Sequence, residues 1–492
     1  MSPMRTRLLT GVTWVAVETW GRHAALLVVF IILARHLGPE TFGLAALAMV
    51  APLVLAVPVS RGLPDALIQR KGLDPLHLDS AFWCLVGLGA AMSALILIFA
   101  ERIALGFDEP GLTPFIGWAG VTVTLNALSA VPAAVLKREL HFRVFAVRTL
   151  CGTAVGGVVG IGLAIAGYGV WSVVLMQIAK ASAETVVILG ASAWRPRLRF
   201  SAFHLGQLVP FSGPLVVQAF WHQINDEIPK VVIGGGLGPV AVGTYALARR
   251  PLDLITEAVV GPLMAVTMPA VARVQSEPGK IDVFFNTVVR VAGIAGFPAY
   301  VGFAAVAPLA VPLVFGSEWT MAVPAVQILM LLGLQRTVDA ICSFCLLALG
   351  HSALILKLNV VYSVVTVGLL AVAVRFGLEA ALAALVLSNL LLLPVFLFLV
   401  RRIAGIDVTR PLVIFPRLAL AVSVMFAAVT GWLRMMPVSD APWLSLASAI
   451  AAGAAVYGVM IVLLIRPDLL DAGDLLIRTA RRVRAGGEEH AR

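Results

Sequence analysis

Charged residues recur three or four positions apart inside long apolar stretches of this chain. Glu18 precedes Arg22, Arg61 precedes Asp65, His222 precedes Asp226, and Asp226 and Glu227 both precede Lys230. Arg249 and Arg250 precede Asp253, which precedes Glu257, and Lys180 with Glu184 and Arg336 with Asp339 repeat the pattern. On a helix, residues so spaced share a face and can touch. Two kinds of chemistry follow. The cations Arg22, Arg61, Lys230, Arg249 and Arg250 can hold an anion, and an arginine fork matches phosphate bidentately. The acids Glu18, Asp226, Glu227, Asp253 and Glu257 can gain or lose a proton when moved between wet and dry surroundings. The alternative is structural: each pair neutralises itself and ties the helices together, since pairing lessens the cost of burying a charge without removing it. Lys180–Glu184 and Arg336–Asp339 are assigned that structural role. Arg249 and Arg250 are adjacent, so one of them points away from a site the other faces.

The elements that must position these residues are membrane helices. The 492 residues are 60% hydrophobic and 13% charged, outside the soluble globular class. Polar gaps are short, leaving no room for a sizeable soluble domain. About fourteen apolar runs are long enough to cross a bilayer, which takes roughly 20 residues each. The first lies near 10–34, the second near 42–68, the seventh near 209–235, the eighth near 239–271 and the last near 442–465. Proline and charge interrupt the second and eighth, so both are expected to be bent or partly unwound. A charge within such a helix costs about 2.5–3.5 kcal/mol on insertion scales, so it usually faces protein or a wet cavity.

The segment LARHLGPETFGLAALA returns in part as IGGGLGPVAVGTYALA, with Leu37, Gly38, Pro39, Gly43, Ala46, Leu47 and Ala48 matched by Leu237, Gly238, Pro239, Gly243, Ala246, Leu247 and Ala248. A fainter echo joins GYGVWSVVL near Gly167 to RFGLEAALAALV near Gly377. The expected organisation is therefore two parallel six-helix repeats, 1–200 and 201–405, then two additional helices in 406–466 and an amphipathic cytoplasmic tail, 467–492. Basic residues gather in alternate loops: Arg70 and Lys71; Lys137, Arg138 and Arg143; Arg195, Arg197 and Arg199; Arg273 and Lys280; Arg401, Arg402 and Arg410. Arg35, Arg102, Arg375 and Arg434 are the exceptions. The bias puts both termini in the cytoplasm and explains the net charge of +10 without nucleic acid as a partner. The basic start MSPMRTRLLTG has no small-residue cleavage site after it, so the first helix is read as retained.

Other chemistries find no support. No G-x-x-x-x-G-K-[ST] run is present, and Gly234-Gly235-Gly236 ends a membrane helix rather than following a soluble strand. Uphill transport would then draw on a proton or cation gradient. Cys342-Ser-Phe-Cys345 has redox spacing, but within an apolar run it reads as packing residues, like Cys84 and Cys151. His36, His77, His141, His204, His351 and His490 show no metal-ligand spacing, so neither metal nor cofactor is expected. Trp14, Trp20, Phe220 and Trp221 could stack on sugar rings, although tryptophan also anchors helices at interfaces.

The segments LARHLGPETFGLAALA, SRGLPDALIQRK, LKRELHF and GYGVWSVV together resemble the polysaccharide transporter family, and within it the Wzx-type exporters of the colanic-acid kind. LGPVAVGTYALARRPLDLI, PLVFGSEW and the helix following Pro324 agree, and the likeness covers residues 8–465. The resemblance implies the multidrug/oligosaccharidyl-lipid/polysaccharide exporter fold: an all-α polytopic membrane protein with two bundles around a central cavity. It implies flipping of a lipid-linked oligosaccharide from the cytoplasmic to the outer leaflet of a bacterial inner membrane, for exopolysaccharide or lipopolysaccharide biosynthesis. Alternating access would expose a cationic cavity to the pyrophosphate and acidic sugars. The implied partners are that substrate, membrane lipids, and the polysaccharide polymerase and export machinery. One departure stands out: many relatives carry Arg before the Leu-Gly that closes the seventh helix, where this chain has Gly235-Gly236-Leu237-Gly238. Competing functions are a lipid II-type cell-wall precursor flippase and a drug/cation antiporter, usually of twelve helices with fewer cavity cations. A membrane glycosyl-transfer enzyme would need a sizeable outer loop with catalytic residues; the outer loops are short, so no enzyme is expected.

Overall fold

In the computed structural model, the described residues are 3–274, 278–349, 351–405, 407, 409–435 and 441–464; they form helices and no strand. A chain this apolar has no water to satisfy its peptide groups within a bilayer, and a helix satisfies them internally. The helices are α1 (Pro3–Ala48), α2 (Val50–Leu55), α3 (Val57–Ser60), α4 (Leu63–Gln69), α5 (Pro75–Leu105), α6 (Thr113–Ala119), α7 (Val121–Arg138) and α8 (Phe142–Ile165). There follow α9 (Val170–Ala191), α10 (Ala202–Gly206), α11 (Val209–Val274), α12 (Pro278–Phe315), α13 (Val323–Ala348), α14 (Ser352–Ala373), α15 (Leu378–Ala404) and α16 (Thr409–Met435). A last helix, α17, runs over Pro442–Leu464.

Twelve segments among the described residues are long and apolar enough to cross a membrane. Two of them are too long for one crossing. Val209–Leu263 has 55 residues, about 80 Å at 1.5 Å per residue, against a hydrocarbon core of roughly 30 Å. Each long helix turns at one glycine followed by proline: Gly38 (φ 65°, ψ 172°) in α1 and Gly238 (φ 77°, ψ −175°) in α11. Treating each as two crossings brings the total to the expected fourteen. The sequence repeat is thus a backbone repeat, with the same left-handed glycine ending one span and a proline starting the next.

The second span is broken, as expected: the backbone leaves helical angles at Arg61–Gly62. The eighth is not. Apart from Gly238, α11 keeps helical backbone angles through Arg249-Arg250-Pro251. The tail from 467 onward lies outside the described residues.

Contacts divide the chain into two compact units, Met1–Ala246 and Leu247–Arg492. In the first, α8 packs on α1 and α9, while α7 packs on α5 and α9. A core of Leu67, Phe82, Leu85, Val131 and Leu208 ties α4, α5 and α7 to the chain entering α11. The two copies of the repeated turn also touch within this unit. A Cβ added to Gly43 would collide with the Pro239 carbonyl, and one added to Gly243 would collide with the Pro39 carbonyl. Glycine at both positions lets the two backbones approach this closely.

In the second unit, α12 packs on α13 and α16, and α15 packs on α13 and α14. Cys342 and Cys345 are free thiols buried in an apolar cluster with Phe285, Val338, Phe396 and Val400, a packing role. The two helices beyond the repeat join a core of Phe297, Leu418, Met425 and Ala449.

Candidate functional site

The broken second span positions Arg61. Ser60 ends α3 with its hydroxyl donating to the Ala56 carbonyl (3.0 Å), Arg61 is extended (φ −126°, ψ 164°), and Gly62 is left-handed (φ 84°). A side chain at residue 62 would also strike Val216 of α11, so two constraints demand glycine there. Asp65 accepts the Gly62 N–H through Oδ2 (3.2 Å) and closes the first turn of α4. The expected Arg61–Asp65 pair therefore does not form. Four-residue spacing puts two side chains together only on a continuous helix, and this one is interrupted between them. Arg61 is exposed, and its guanidinium has no hydrogen-bond or ion-pair partner among the described residues.

On α11, two acids adjacent in sequence serve different partners. Glu227, 5% exposed, binds Lys230 Nζ through Oε2 (2.7 Å) and accepts from Gln223 Nε2 (3.3 Å). Asp226 pairs with His222 on the more exposed flank (3.5 Å). Both contacts were legible as helical spacings. Further along, Asp253 is gripped through both oxygens. Arg249 Nε lies 3.3 Å from Oδ2, and Arg336 Nη1 of α13 lies 3.4 Å from Oδ1. Arg336 was expected to hold Asp339; among the described residues that acid instead accepts a single long bond, from Gln335 Nε2 (3.5 Å). Spacing along α13 brought Asp339 into range, but a carboxylate on a neighbouring helix took the arginine. Arg250 is half-buried and Glu257 exposed. Arg22 is half-buried on α1, and the side chains of Glu18, Trp14 and Trp20 lie outside the described residues.

Lys180–Glu184 is also corrected. Glu184 bonds to Arg148 of α8 (Nη2–Oε2 2.8 Å), with both side chains largely buried. The cause is close helix packing. Gly152, Gly156 and Gly160 form a stripe along α8, and a Cβ on them would press on Glu184, Lys180 and Met176 of α9, respectively. Arg148, one turn before Gly152, is thereby set opposite Glu184. Lys180 is left half-buried, and its ammonium has no hydrogen-bond or ion-pair partner among the described residues. Sequence reasoning missed Arg148, although a glycine at every fourth position after an arginine was a usable signal. It also missed His77 and His204, distant in sequence but with ring centroids 4.7 Å apart. His77 Nδ1 accepts from the Asp74 N–H (3.1 Å) and its Nε2 donates to Gln207 (3.1 Å), which fixes these rings as structural. Among the described residues, no group of three or more His, Cys, Asp or Glu side chains could hold a metal ion.

An all-α chain with paired and unpaired charges set into its spans, and turned twice at matching Gly-Pro steps, has the fold of the multidrug/oligosaccharidyl-lipid/polysaccharide exporters. The lipid II flippase MurJ in an inward closed conformation superposes with a TM-score of 0.79 over 93% of this chain and 100% of that chain, at 14% identity. An inward-facing multidrug resistance MATE transporter follows with a TM-score of 0.64 over 80% and 98%, at 16% identity. The family described as "Polysaccharide biosynthesis protein" matches residues 32–324, and the chain belongs to it. It is 27% identical to the succinoglycan biosynthesis transport protein ExoT of Rhizobium meliloti (strain 1021), over 97% of this chain and 98% of that protein. It is 26% identical to the lipopolysaccharide biosynthesis protein WzxC of Escherichia coli (strain K12), over 73% of each.

Proposed function

We propose that this multi-pass membrane protein flips a lipid-linked oligosaccharide from the cytoplasmic to the outer leaflet of a bacterial cytoplasmic membrane. The observation that carries this reading is the near end-to-end likeness to the succinoglycan biosynthesis transport protein ExoT. The loop charges support cytoplasmic termini, and the internal repeat supports six-helix halves at 1–200 and 201–405 with two helices added in 406–466. The substrate's pyrophosphate is the group the cations serve. Arg61 is the leading contact because no carboxylate neutralises it, and Arg22, Lys230, Arg249 and Arg250 complete the proposed path. Lys180 joins them, since its expected partner is bound elsewhere. Glu18, Asp226, Glu227, Asp253 and Glu257 remain the candidates for ion coupling. Asp253 stands out among them as the acid that two arginines share.

A second reading, a cell-wall precursor flippase, is favoured by the fold match to MurJ alone. Complementation separates the two. The chain is expected to restore exopolysaccharide in a strain lacking its own polysaccharide flippase, and not to rescue depletion of a lipid II flippase. Rescue of the second strain and not the first would transfer the assignment to the cell-wall precursor. Rescue of neither, with the protein present in the membrane, would remove the flippase reading.

A further inference from the structure

The segment joining α9 to α11 is built to present arginine and apolar side chains outward. Its backbone is pinned to the start of α5. The Arg197 N–H donates to buried Asp79 (3.2 Å), the Arg197 carbonyl accepts from Trp83 Nε1 (2.8 Å), and the Ser201 N–H donates to the buried Ser80 hydroxyl (2.9 Å). Between these pins the Arg199 N–H bonds to the Arg197 carbonyl (2.8 Å), a tight turn that throws Leu198 outward. Leu198 is 89% exposed, Phe203 71% and Phe200 60%. Arg195 is held by the Ser192 and Trp194 carbonyls. Arg197 and Arg199 are exposed, and their guanidinium groups have no hydrogen-bond or ion-pair partner among the described residues.

The pins also fix the depth of this segment. The 31 residues of α5 measure about 46 Å, against a hydrocarbon core of roughly 30 Å, so about 8 Å at each end lies among the headgroups. Asp79, Ser80 and Trp83 stand about 6–12 Å along from Pro75, so the segment sits level with the boundary between headgroups and acyl chains. Exposed Leu and Phe at that depth are placed to enter the acyl region, and two unneutralised arginines are placed to meet phosphate. We propose that residues 195–206 are an interfacial anchor whose Arg197 and Arg199 bind the anionic phospholipids of the leaflet they face, with Leu198, Phe200 and Phe203 inserted between the lipids. The occupant is the bilayer surface itself. Its negative charge complements the two arginines, and each cation near an anionic membrane strengthens attachment about fivefold. This rests on the flippase reading only for the choice of leaflet.

The test is amide hydrogen exchange across 195–206 in the full-length protein, in nanodiscs of phosphatidylcholine alone or with phosphatidylglycerol added. Both faces of a nanodisc carry the same lipids, so the result does not depend on orientation or on transport. Exchange in this segment is expected to slow about twenty-fivefold when phosphatidylglycerol is present, the product of a roughly fivefold effect from each arginine. Salt at about 0.5 M, where screening acts within a few ångströms, should abolish the difference. R197Q/R199Q should lose it while keeping wild-type exchange in phosphatidylcholine, whereas F200S/F203S should exchange faster in both lipids. Equal wild-type exchange in the two nanodiscs would overturn the proposal whatever the variants do. Slowing by soluble pyrophosphate in phosphatidylcholine nanodiscs would overturn it too, by marking a phosphate site instead of a membrane anchor.

Discussion

The Gly-Pro turns at Gly38 and Gly238 share their backbone angles, their proline and the glycine that follows five residues later, yet the helices after them diverge. After the first, the chain breaks at Arg61–Gly62 and leaves Arg61 outside the helices on either side. After the second, α11 runs on through Pro251, and Arg249 finds Asp253 one turn ahead. The difference teaches what a charge in a membrane helix becomes. On α11 Arg249 is drawn into a pair along its own helix, whereas Arg61, at a break, meets no carboxylate among the described residues. The two copies also meet directly at Gly43 and Gly243, so the shared part of the repeat is a packing device.

The largest expected effect comes from attacking what the copies share. Gly43→Val and Gly243→Val each push a side chain into the other turn's backbone, at a cost of about 3 kcal/mol or more, the upper end for overpacking. Each variant should melt well below wild type in detergent, or fail to accumulate. Gly87→Ala, where an added Cβ has open space, should melt as wild type or slightly above. A Gly43→Val protein of wild-type stability would dissolve the contact between the copies.

Next comes the pair that close packing created. Arg148→Ala leaves Glu184 buried without its cation, a loss of about 3 kcal/mol, which Arg148→Met with Glu184→Met should largely recover in the same melting assay. Lys180→Met should leave stability nearly unchanged. If Lys180→Met were instead the destabilising one, the reassignment of Glu184 would be wrong. Smaller again is Asp65→Ala, which removes the closure of α4 and should cost about 1 kcal/mol. The smallest concerns Asp253, a partly exposed group, where Asp253→Asn should change stability by less than about 1 kcal/mol. Its consequence should fall on export, measured in the complemented strain, because the charged contacts to Arg249 and Arg336 are weakened.

Apolar runs and the repeated LGP segment made the spans, the two turns and their likeness legible in the sequence, because a membrane helix and a left-handed glycine each leave a local signature. Glu227–Lys230, His222–Asp226 and Arg249–Asp253 were legible for the same reason: both partners sit on one unbroken helix. Spacing failed where a second helix competed. Arg148 captured Glu184, and Asp253 captured Arg336, and nothing in the local spacing of α9 or α13 announces the rival. It failed again at Arg61, where Gly62 ends the periodicity on which the pairing with Asp65 depended. The segment after α9 shows the same limit, since its arginines were legible as a basic loop but the pins from α5 that turn them outward were not.

The claim that a cation freed by a broken helix serves the substrate is tested most directly by flipping in proteoliposomes. Labelled lipid-linked oligosaccharide would be followed with wild type, Arg61→Lys, Arg61→Ala, and Arg61→Ala combined with Asp65→Ala. The account predicts partial flipping by the lysine variant and a loss of tenfold or more in both alanine variants, with Arg61→Ala melting within about 0.5 kcal/mol of wild type, as surface substitutions do. Wild-type flipping by a well-folded Arg61→Ala protein, or its recovery when Asp65 is also removed, would contradict it.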